Sequence, residues 1–484
     1  MADTALPSAA GQNRRRDPVA DTAGLPPEQM VAEDRPRLPR LALAMMIAIA
    51  TPLWFFLGDF LLTPTRVICV IAIPILTLKL LAGAYGRIMI TDVLMFFYSF
   101  WVILSHLVNN GMSAFVFASL QVALLLGGYL VGRATIRSPA DMQALGRVLA
   151  RLVILLLPVA FIETQTGDYV IPEWIRNTGI FRSVAPIDYG ERLGLFRAQV
   201  VFAHPIHFGL YCSTAISLYF VSLINKEPLA KRVIMAALIL ASVFMSVSSG
   251  PFLASVFQLA LIGYMLVTRH LNFQWPLLLT GFGIFYAIIE VASDRFGLYA
   301  LASRLAFNSS TAFYRSLIWR YGTEQVERTP IFGVGRNPWV KPRWMTDSID
   351  NFWLQISVTN GLPAGISMIA LFLITIIFAG RGHYVRGTDA YYARVAYTFL
   401  FVSLMLSLAT VTIWNEVLCM IMFLLGAGGY MLQAKAPQTA AAVADMPETE
   451  PGGRVRRMSR GTPPERADRA ADRAPARTSP QTLA

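Results

Sequence analysis

The residues best suited to chemistry in this chain lie in a long polar stretch that runs from about Asp294 to Pro363. It contains arginines, glycine turns and the acid Asp350, which stands directly before an aromatic run that leads into a predicted membrane helix. It is also the longest polar interruption in an otherwise apolar chain. A loop that only joined two membrane helices would need none of these groups. We therefore interpret this stretch as the site of chemistry.

Arg197 is a second candidate group, because it precedes the sequence FAHPIHFG at the predicted start of a membrane helix. A guanidinium at the boundary between water and lipid offers a planar, permanently charged fork that suits phosphate oxygens. The alternative is that Arg197 extends its charge to lipid headgroups, as long basic side chains do at membrane interfaces. The sequence leaves both interpretations open.

His204 and His207 are spaced so that they share one face of a helix, a spacing that also occurs in metal sites. No carboxylate or cysteine stands at ligand spacing from them, so the metal interpretation is the weaker one. Pro205 is expected to shape the start of the helix, with His204 as a hydrogen-bonding group there. The sequence therefore predicts neither a metal site nor another cofactor.

Two glycine motifs mark breaks between predicted helices. The sequence SVSSGP places Gly250 and Pro251 where a helix ends near one face of the membrane, either to line a cavity or as an ordinary tight turn. In PIFGVG, Gly333 and Gly335 predict a turn. This motif is not a dinucleotide-binding fingerprint, because no predicted strand or βαβ unit surrounds it.

Two helices are predicted within or at the end of the polar stretch. The sequence AFYRSLIWRYGTEQVER, which contains Arg315, has apolar residues at helical spacing and is expected to lie on the membrane surface. In TDSIDNFWLQ, Asp347, Ser348 or Asp350 is a candidate N-cap for the helix that follows. Helix capping is the structural alternative to a chemical role for Asp350.

The composition indicates what kind of scaffold holds these residues. Of the 484 residues, 55% are hydrophobic and only 14% are charged, and the mean hydropathy is +0.53. Repeated apolar runs of about 20 residues match the helix length that crosses the roughly 30 Å of membrane hydrocarbon. Cys69, Cys212 and Cys419 all fall in such runs and suggest no disulfide framework. The chain is therefore expected to be an all-α polytopic membrane protein.

About twelve membrane spans are predicted from these runs. They lie near residues 41–61, 66–84, 88–108, 112–132, 152–164, 200–224, 233–247, 252–268, 275–292, 363–380, 395–411 and 414–433. The predicted domains are a disordered cytoplasmic tail at 1–38, a transmembrane domain at 39–433, and a second disordered cytoplasmic tail at 434–484. A large periplasmic loop with short amphipathic helices, at 294–362, belongs to the transmembrane domain.

The basic residues predict how the chain is oriented. The net charge of +12 comes from tails and loops, so we interpret it as a topology signal and not as a nucleic-acid-binding surface. Lys and Arg are concentrated after the even-numbered spans, and the short turns after the odd-numbered ones have almost none apart from Arg66. Both termini are therefore predicted to be cytoplasmic. The longer loops after the fifth and ninth spans then face the periplasm or cell exterior.

Charges within the apolar runs bear on whether the protein transports its substrate. Asp59, His106, Glu290 and Glu416 are predicted near the exterior ends of their helices. A transporter would be expected to carry such charges near the middle of the membrane. This distribution favours a site at the exterior face over a transport pathway.

Together these motifs resemble the O-antigen ligase/polymerase superfamily, and most closely its Wzy-type exopolysaccharide polymerases. The resemblance is carried by RAQVVFAHPIHFG, by SSGP before a helix, by Arg315 on a helix ahead of RTPIFGVG, and by DNFWLQISVTNGLPAG. These motifs cover roughly residues 197–380. Each is short, and the specificity of the set comes from their order and from their predicted positions at the exterior face.

The resemblance implies a GT-C-like membrane fold and a glycosyltransferase that uses undecaprenyl-pyrophosphate-linked oligosaccharides without a metal ion. Asp350 matches the position of the family's His or Asp before Asn, and it is the candidate general base. Arg197 and Arg315 match the family's arginines and are assigned to the pyrophosphate, with Arg336 and Arg192 in reserve. The candidate substrate-binding residues are His204, Asn351, Arg336, Gly333, Gly335 and Trp353.

Two departures from the family pattern bear on function. Ligases generally have His where this chain has Asp350, which favours a polymerase. The small-Arg-Gly pattern that often follows the seventh span is Ser249-Gly250 here. This leaves the position of a third phosphate-binding arginine open.

The leading hypothesis is a polymerase that joins lipid-linked repeat units into an exopolysaccharide or O-antigen at the periplasmic face of the bacterial inner membrane. One alternative is an O-antigen ligase that transfers glycan to a lipid A core or a protein. Another is a transporter or flippase of lipid-linked sugars. The expected partners are the lipid-linked oligosaccharide, membrane lipid, and a chain-length regulator and flippase of the same pathway, with no nucleic acid.

Overall fold

The structure, a computed structural model, describes residues 37–57, 60–185, 190–292, 309–381 and 384–433. The predicted C-terminal tail and nearly all of the predicted N-terminal tail lie outside these residues. Asp59, residues 294–308 of the predicted loop and the side chain of Glu290 also lie outside them.

The described chain is mostly helical, and its elements are numbered in chain order. The helices are α1 (Arg40–Ile49), α2 (Pro64–Leu81), α3 (Ile90–Asn110), α4 (Phe115–Thr135), α5 (Pro139–Thr166), α6 (Val170–Asn177), α7 (Pro205–Ser213), α8 (Ala215–Phe220), α9 (Leu229–Met245), α10 (Ser249–Val267), α11 (Gln274–Ala292), α12 (Ser309–Arg328), α13 (Phe352–Asn360), α14 (Leu362–Arg381), α15 (Asp389–Ser407), α16 (Asn415–Ala427) and α17 (Gly429–Gln433). A hairpin of β1 (Phe55–Leu57) and β2 (Phe60–Leu62) separates α1 from α2, with Phe55 opposite Leu62 in antiparallel register.

Eight segments of the described chain are helical, long and apolar enough to cross a membrane. They are α2, α3, α4 with the short turn before it, α5, α10, α14, α15, and α16 together with α17. This number supports the predicted class of polytopic membrane protein. The predicted total of twelve spans stays a prediction.

The prediction of one long helix over residues 41–61 is wrong. α1 ends at Ile49, and the chain then forms the β1–β2 hairpin. Pro52 accounts for the end of the helix, because proline lacks the N–H donor and disfavours helical backbone in the residue before it. The strand sequences FFL and FLL consist of residues that suit β pairing or tolerate it.

The fifth predicted span is too short, because α5 begins at Pro139. Arg147 and Arg151, which lie between the fourth and fifth predicted spans, are therefore helical. Ser138 caps the helix: its Oγ accepts a hydrogen bond from the backbone N–H of Asp141 at 3.1 Å. The Ser138 hydroxyl also donates to the carboxylate of Asp141 at 2.8 Å. This N-terminal cap, with proline at the first helical position, starts the helix well before the apolar run.

The predicted span at 200–224 is broken into α7 and α8. The hydroxyls of Ser213 and Thr214 donate back to the carbonyl groups of Leu210 and Tyr211, at 2.8 and 2.7 Å. Such bonds compete with the backbone ladder and bend or interrupt helices. The break therefore follows from two adjacent hydroxyl residues inside an apolar run.

The loops meet in two groups, one at each end of the helix bundle. At one end, the side-chain N–H of Asn109 donates to the carbonyl oxygen of Phe332 at 2.9 Å. At the opposite end, Lys226 pairs with Asp389 at 3.4 Å. We call the end that contains the C-termini of α3, α5, α9 and α15 the site end. The loops that meet at each end are the ones that the predicted spans, which alternate in direction, place on the same side of the membrane.

The contact between α4 and α16 is the closest helix packing at the centre of the bundle. A Cβ atom added at Gly128 would lie 2.5 Å from the carbonyl oxygen of Cys419. Gly132 on α4 and Gly426 on α16 also approach the backbone of the facing helix too closely for a side chain. Small residues at such spacing let membrane helices pack backbone to backbone.

The described part of the polar stretch has a hydrophobic core of its own, between α12, α13 and the loop that joins them. Its buried members are Ile318, Val326, Trp339, Met345, Ile349, Leu354 and Val358. Gly322 of α12 permits the approach, since a Cβ there would lie 2.6 Å from Leu354 Cδ2. The predicted helix that contains Arg315 is confirmed as α12. This small core fixes α12 against α13, which begins two residues after Asp350.

Candidate functional site

Arg197 lies buried at the site end, with 6% of its surface exposed. The backbone on either side of it is anchored to two helix ends. Phe196 donates its N–H to Thr164 O at 3.2 Å, and Ala198 donates to Met245 O at 3.0 Å. The guanidinium donates from Nη2 to the hydroxyl of Ser248 at 2.8 Å. Burial among these partners places Arg197 inside the fold, which weakens the lipid-headgroup alternative.

Glu163, near the end of α5, holds the residues that follow Arg197. Its Oε2 accepts hydrogen bonds from the backbone N–H groups of Gln199 and Val200, at 3.1 and 2.9 Å. Val200 has a φ of +54°, a left-handed conformation that is strained for a β-branched residue. The carboxylate therefore keeps this segment in a backbone conformation that it would not adopt by itself.

The SVSSGP motif forms a close contact between α10 and the turn after α15. A Cβ added at Gly250 would lie 2.5 Å from Val411 Cγ1, and Ser407 donates its hydroxyl to Gly250 O at 2.9 Å. Ser248 stands directly before α10 and accepts the hydrogen bond from Arg197. The motif is thus a helix break at which the buried hydroxyl of Ser248 contacts Arg197.

His204 is the N-cap of α7, as the sequence predicted for a hydrogen-bonding group at this helix start. Its Nδ1 accepts a hydrogen bond from the backbone N–H of Ile206 at 2.9 Å. The ring also lies in the electrostatic field of Arg197 and Arg192. Within the described ranges, no group of three or more His, Cys, Asp or Glu side chains could hold a metal ion.

Arg315, on α12, lies between charges of opposite sign. Burial lowers the pKa of its guanidinium, the carboxylate of Asp350 raises it, and the charge of Arg192 lowers it. The group stays cationic at physiological pH, because arginine titrates far above neutrality. Its Nε is buried and makes no hydrogen bond to any residue that the structure describes. A buried donor without an acceptor is costly, so a phosphate oxygen that reached this N–H would be stabilised by it.

Asp350 does not cap α13, and the prediction that Asp347, Ser348 or Asp350 is the N-cap is wrong. The cap is Asn351, whose Oδ1 accepts from the backbone N–H of Leu354 at 3.1 Å. Asparagine is among the best N-cap residues, so the helix needs no help from the acid before it. Asp350 instead accepts a hydrogen bond from the Ser348 hydroxyl at 2.8 Å and is half-buried.

Gly333 and Gly335 form the predicted turn, with φ values of +62° and +61°. The turn covers the C-terminus of α13: Val334 and Gly335 donate their N–H groups to Val358 O and Thr359 O, at 2.9 and 2.8 Å. These carbonyl groups have no partner within the helix, so the turn satisfies them. Both glycines hold the backbone in place, and Gly335 also borders a cleft.

Arg336 and Trp353 have packing partners outside the group around Arg315. The Arg336 guanidinium lies 4.8 Å from the ring centre of Phe117, at the start of α4. The indole N–H of Trp353 donates to Met405 O at 3.2 Å, and its ring contacts Phe372 edge to face. These contacts give both residues structural roles, and their predicted contact with substrate stays a prediction.

A cleft of about 480 Å³ opens beside Asp350. We call it the loop cleft. Its walls are residues 334–339, residues 347–349, one face of α13 and the segment before α16 that ends at Trp414. Ser348 lines the cleft and donates to Asp350.

The site-end residues form one connected group, although they come from distant parts of the chain. Arg192 acts electrostatically on both Arg315 and His204, Arg197 acts on His204, and Asp350 acts on Arg315. The pairing of Arg197 and Arg315 with Asp350 was the central expectation from the sequence. Arg192 acts on a residue near each of them, and the pairing itself stays a prediction.

Three residues of this group were missed by the sequence reasoning. Glu163 carried a signal, because a lone acid inside an apolar run is costly and needs a partner. Ser248 lay in a motif that had two open interpretations. Trp414 carried no signal, because its contact with the His207 ring, at a centroid distance of 4.0 Å, depends on long-range packing.

Comparison with known proteins supports the resemblance found in the sequence. Residues 234–369 match a family model described as O-antigen ligase. The matched region contains Ser248, Arg315, both turn glycines and Asp350, whereas Arg197 and His204 precede it. No curated protein gives a significant match to the chain.

Proposed function

We propose that this chain, whose residues 234–369 match the O-antigen ligase family model, is a polymerase of the O-antigen ligase/polymerase superfamily. It joins undecaprenyl-pyrophosphate-linked oligosaccharide repeat units into an exopolysaccharide or O-antigen. The reaction takes place at the periplasmic face of the inner membrane, with both termini in the cytoplasm. A flippase that delivers the repeat units and a regulator of chain length would act in the same pathway.

The observation that carries this proposal is the group of cations beside one half-buried acid. Asp350 and Arg192 both act electrostatically on Arg315, and Arg315 has a buried N–H donor without an acceptor among the described residues. Guanidinium groups bind phosphate oxygens through paired hydrogen bonds. A carboxylate beside them can take a proton from a hydroxyl group. The combination suits an attack by a sugar hydroxyl on a carbon that bears a pyrophosphate leaving group.

The proposed transfer involves one bond made and one bond broken. The oxygen of an acceptor hydroxyl attacks the anomeric carbon of the growing glycan, and its proton passes to Asp350. The bond from the anomeric carbon to the pyrophosphate oxygen breaks, and its electron pair leaves with the lipid pyrophosphate. Arg197, Arg315 and Arg192 compensate the charge that develops on this leaving group. The products are a glycan longer by one transfer and free lipid pyrophosphate.

The test is a reconstituted reaction of the full-length protein in proteoliposomes with purified lipid-linked repeat units. Wild-type protein is expected to give a ladder of polymers. Asp350→Asn and Arg197→Ala are each expected to reduce polymer formation about 100-fold or more, since a general base or a charge-stabilising donor contributes at this scale. Asp168→Asn and Arg343→Ala, which change exposed charges, serve as matched controls.

The other outcomes of this assay identify the alternatives. A product that forms only after addition of a lipid A core or protein acceptor would identify a ligase. Movement of lipid-linked sugar across the bilayer without a covalent product would identify a transporter. Normal ladders from Asp350→Asn or Arg197→Ala would contradict the assignment of the site.

A further inference from the structure

We infer that the loop cleft binds a sugar ring of the acceptor oligosaccharide, and that Trp414 is its stacking surface. The inference rests on the proposed function, and it adds a separate subsite for the sugar beside the arginines assigned to the pyrophosphate. At about 480 Å³ the cleft falls within the range of about 300–1,000 Å³ that small-molecule sites occupy.

The polar groups that line the cleft suit an uncharged, hydroxyl-rich ligand. Asn337, Ser348, Gln355 and Thr412 supply amides and hydroxyls, which can both donate and accept hydrogen bonds. Gln355 and Thr412 hydrogen-bond to each other across the cleft wall. This alternation of donors and acceptors matches the hydroxyl groups of a pyranose ring.

The charged residues at the cleft are already engaged by neighbouring groups. Asp347 forms an ion pair with Lys341 at 3.0 Å. Arg336 stacks its guanidinium on Phe117 at 4.8 Å. The cleft therefore offers less to a pyrophosphate than the arginine group does, where Arg315 has a buried donor without an acceptor in the described chain.

Trp414 supplies an aromatic face that is fixed in position. Its ring meets His207 at a centroid distance of 4.0 Å and His204 at 5.8 Å, in both cases edge to face. About a third of the residue, 36%, stays exposed, and it lines the cleft. An aromatic ring held in this way presents a rigid apolar surface to the C–H face of a sugar at little cost in side-chain entropy.

The position of the cleft favours the acceptor as the bound sugar. Ser348 lines the cleft and donates to Asp350, so a ring in the cleft has its hydroxyl groups beside the candidate base. On another wall, Trp414 contacts His204, which lies in the field of Arg197. A sugar stacked on Trp414 would thus lie between Ser348, which donates to the candidate base, and His204, which lies in the field of Arg197.

Binding of the sugar alone tests this inference. The probe is the repeat-unit oligosaccharide of the host strain, released from its lipid by mild acid so that it carries neither lipid nor pyrophosphate. The protein is the full-length chain in lipid nanodiscs, and the measurement is calorimetric titration. We expect wild-type protein to bind the probe, Trp414→Ala to weaken binding about tenfold or more, and Trp414→Phe to restore most of it. Gln355→Ala, which changes a hydrogen-bonding wall, is expected to weaken binding about threefold to tenfold.

Trp344→Ala is the matched control, because Trp344 is exposed and does not line the cleft. Thermal unfolding of each variant identifies loss of binding that is caused by misfolding. If Trp414→Ala misfolds, the binding measured for Gln355→Ala decides whether the inference holds. Failure of the wild type to bind the probe, or unchanged binding by both Trp414→Ala and Gln355→Ala, would overturn the inference. Failure of the proposed function has a different signature, since lipid-linked units would then give no polymer while the probe still binds. With lipid-linked acceptor, Trp414→Ala should raise KM with little change in kcat.

Discussion

At the scale of single residues, the position of Arg197 depends on the carboxylate of Glu163. This carboxylate accepts the N–H groups of Gln199 and Val200, and Val200 is in a strained left-handed conformation. Glu163→Ala would leave two buried N–H groups without acceptors, at about 1–3 kcal/mol each. We expect the segment to relax and polymer formation to fall about 10-fold to 100-fold, because small displacements of a charge-stabilising group are costly. The reconstituted assay measures this loss.

Glu163→Gln separates positioning from charge. Its amide oxygen can still accept both N–H groups, so this variant is expected to keep most of the activity that Glu163→Ala loses. Glu173→Ala is the matched control, because Glu173 lies nearby on α6 and forms only a half-exposed ion pair with Arg176 at 3.9 Å. Equal loss of activity in Glu163→Gln and Glu163→Ala would show that the charge itself is required, and would contradict a positioning role.

At the scale of elements, the turn at Gly333 joins the loop core to the end of α13. Gly333 has a φ of +62°, and a Cβ added to it would lie 2.5 Å from the backbone of Thr359, so no side chain fits there. Gly333→Ala is expected to destabilise the loop by about 2 kcal/mol or more, from backbone strain together with the clash. Faster proteolysis within residues 330–351 and a lower unfolding temperature would report this change.

Gly263→Ala is the control for the glycine substitution, because a Cβ there meets no neighbour within 4 Å and its φ is ordinary for a helix. It is expected to leave both measurements unchanged or slightly improved, since alanine favours helix. Proteolysis of Gly333→Ala at the rate of Gly263→Ala would show that the turn does not hold the loop in place.

The same elements show which parts of the fold can be predicted from the sequence. The helices predicted at 275–292 and 363–380 are observed at Gln274–Ala292 and Leu362–Arg381, because uninterrupted apolar runs define their ends. Where polar caps or proline compete with the apolar pattern, the prediction failed, as at α1 and α5. The capping of α13 by Asn351 was missed because several adjacent residues were plausible caps, and tertiary contacts decide between them.

The candidate site also contains residues that the sequence identifies and residues that it does not. Arg197, Arg315 and Asp350 could be proposed from residue type, because a phosphate-binding guanidinium and a carboxylate base are recognisable in the sequence. Trp414 could not be selected, because its contact with His207 requires the turn before α16 to reach the start of α7. Such a contact joins residues 207 positions apart in sequence, and no local pattern encodes it.

At the scale of the whole molecule, the predicted orientation can be tested by chemical labelling. The native cysteines Cys69, Cys212 and Cys419 are all buried, so a single introduced cysteine is the expected site of reaction with a membrane-impermeant maleimide. Leu193→Cys and Arg343→Cys place the thiol at exposed positions of the site end. They are expected to react in intact spheroplasts, because positive-inside counting places this end outside the cytoplasm.

Arg137→Cys and Lys226→Cys place the thiol at exposed positions of the opposite end. These two variants are expected to react only after the membrane is permeabilised. Unmodified protein, which should stay unlabelled, controls for exposure of the buried thiols. The reverse pattern would place the arginines in the cytoplasm, where a lipid-linked repeat unit already moved across the membrane could not reach them, and would exclude a periplasmic polymerase. Labelling of both ends without permeabilisation would show that the spheroplasts leak. The measurement would then be repeated in sealed membrane vesicles of both orientations.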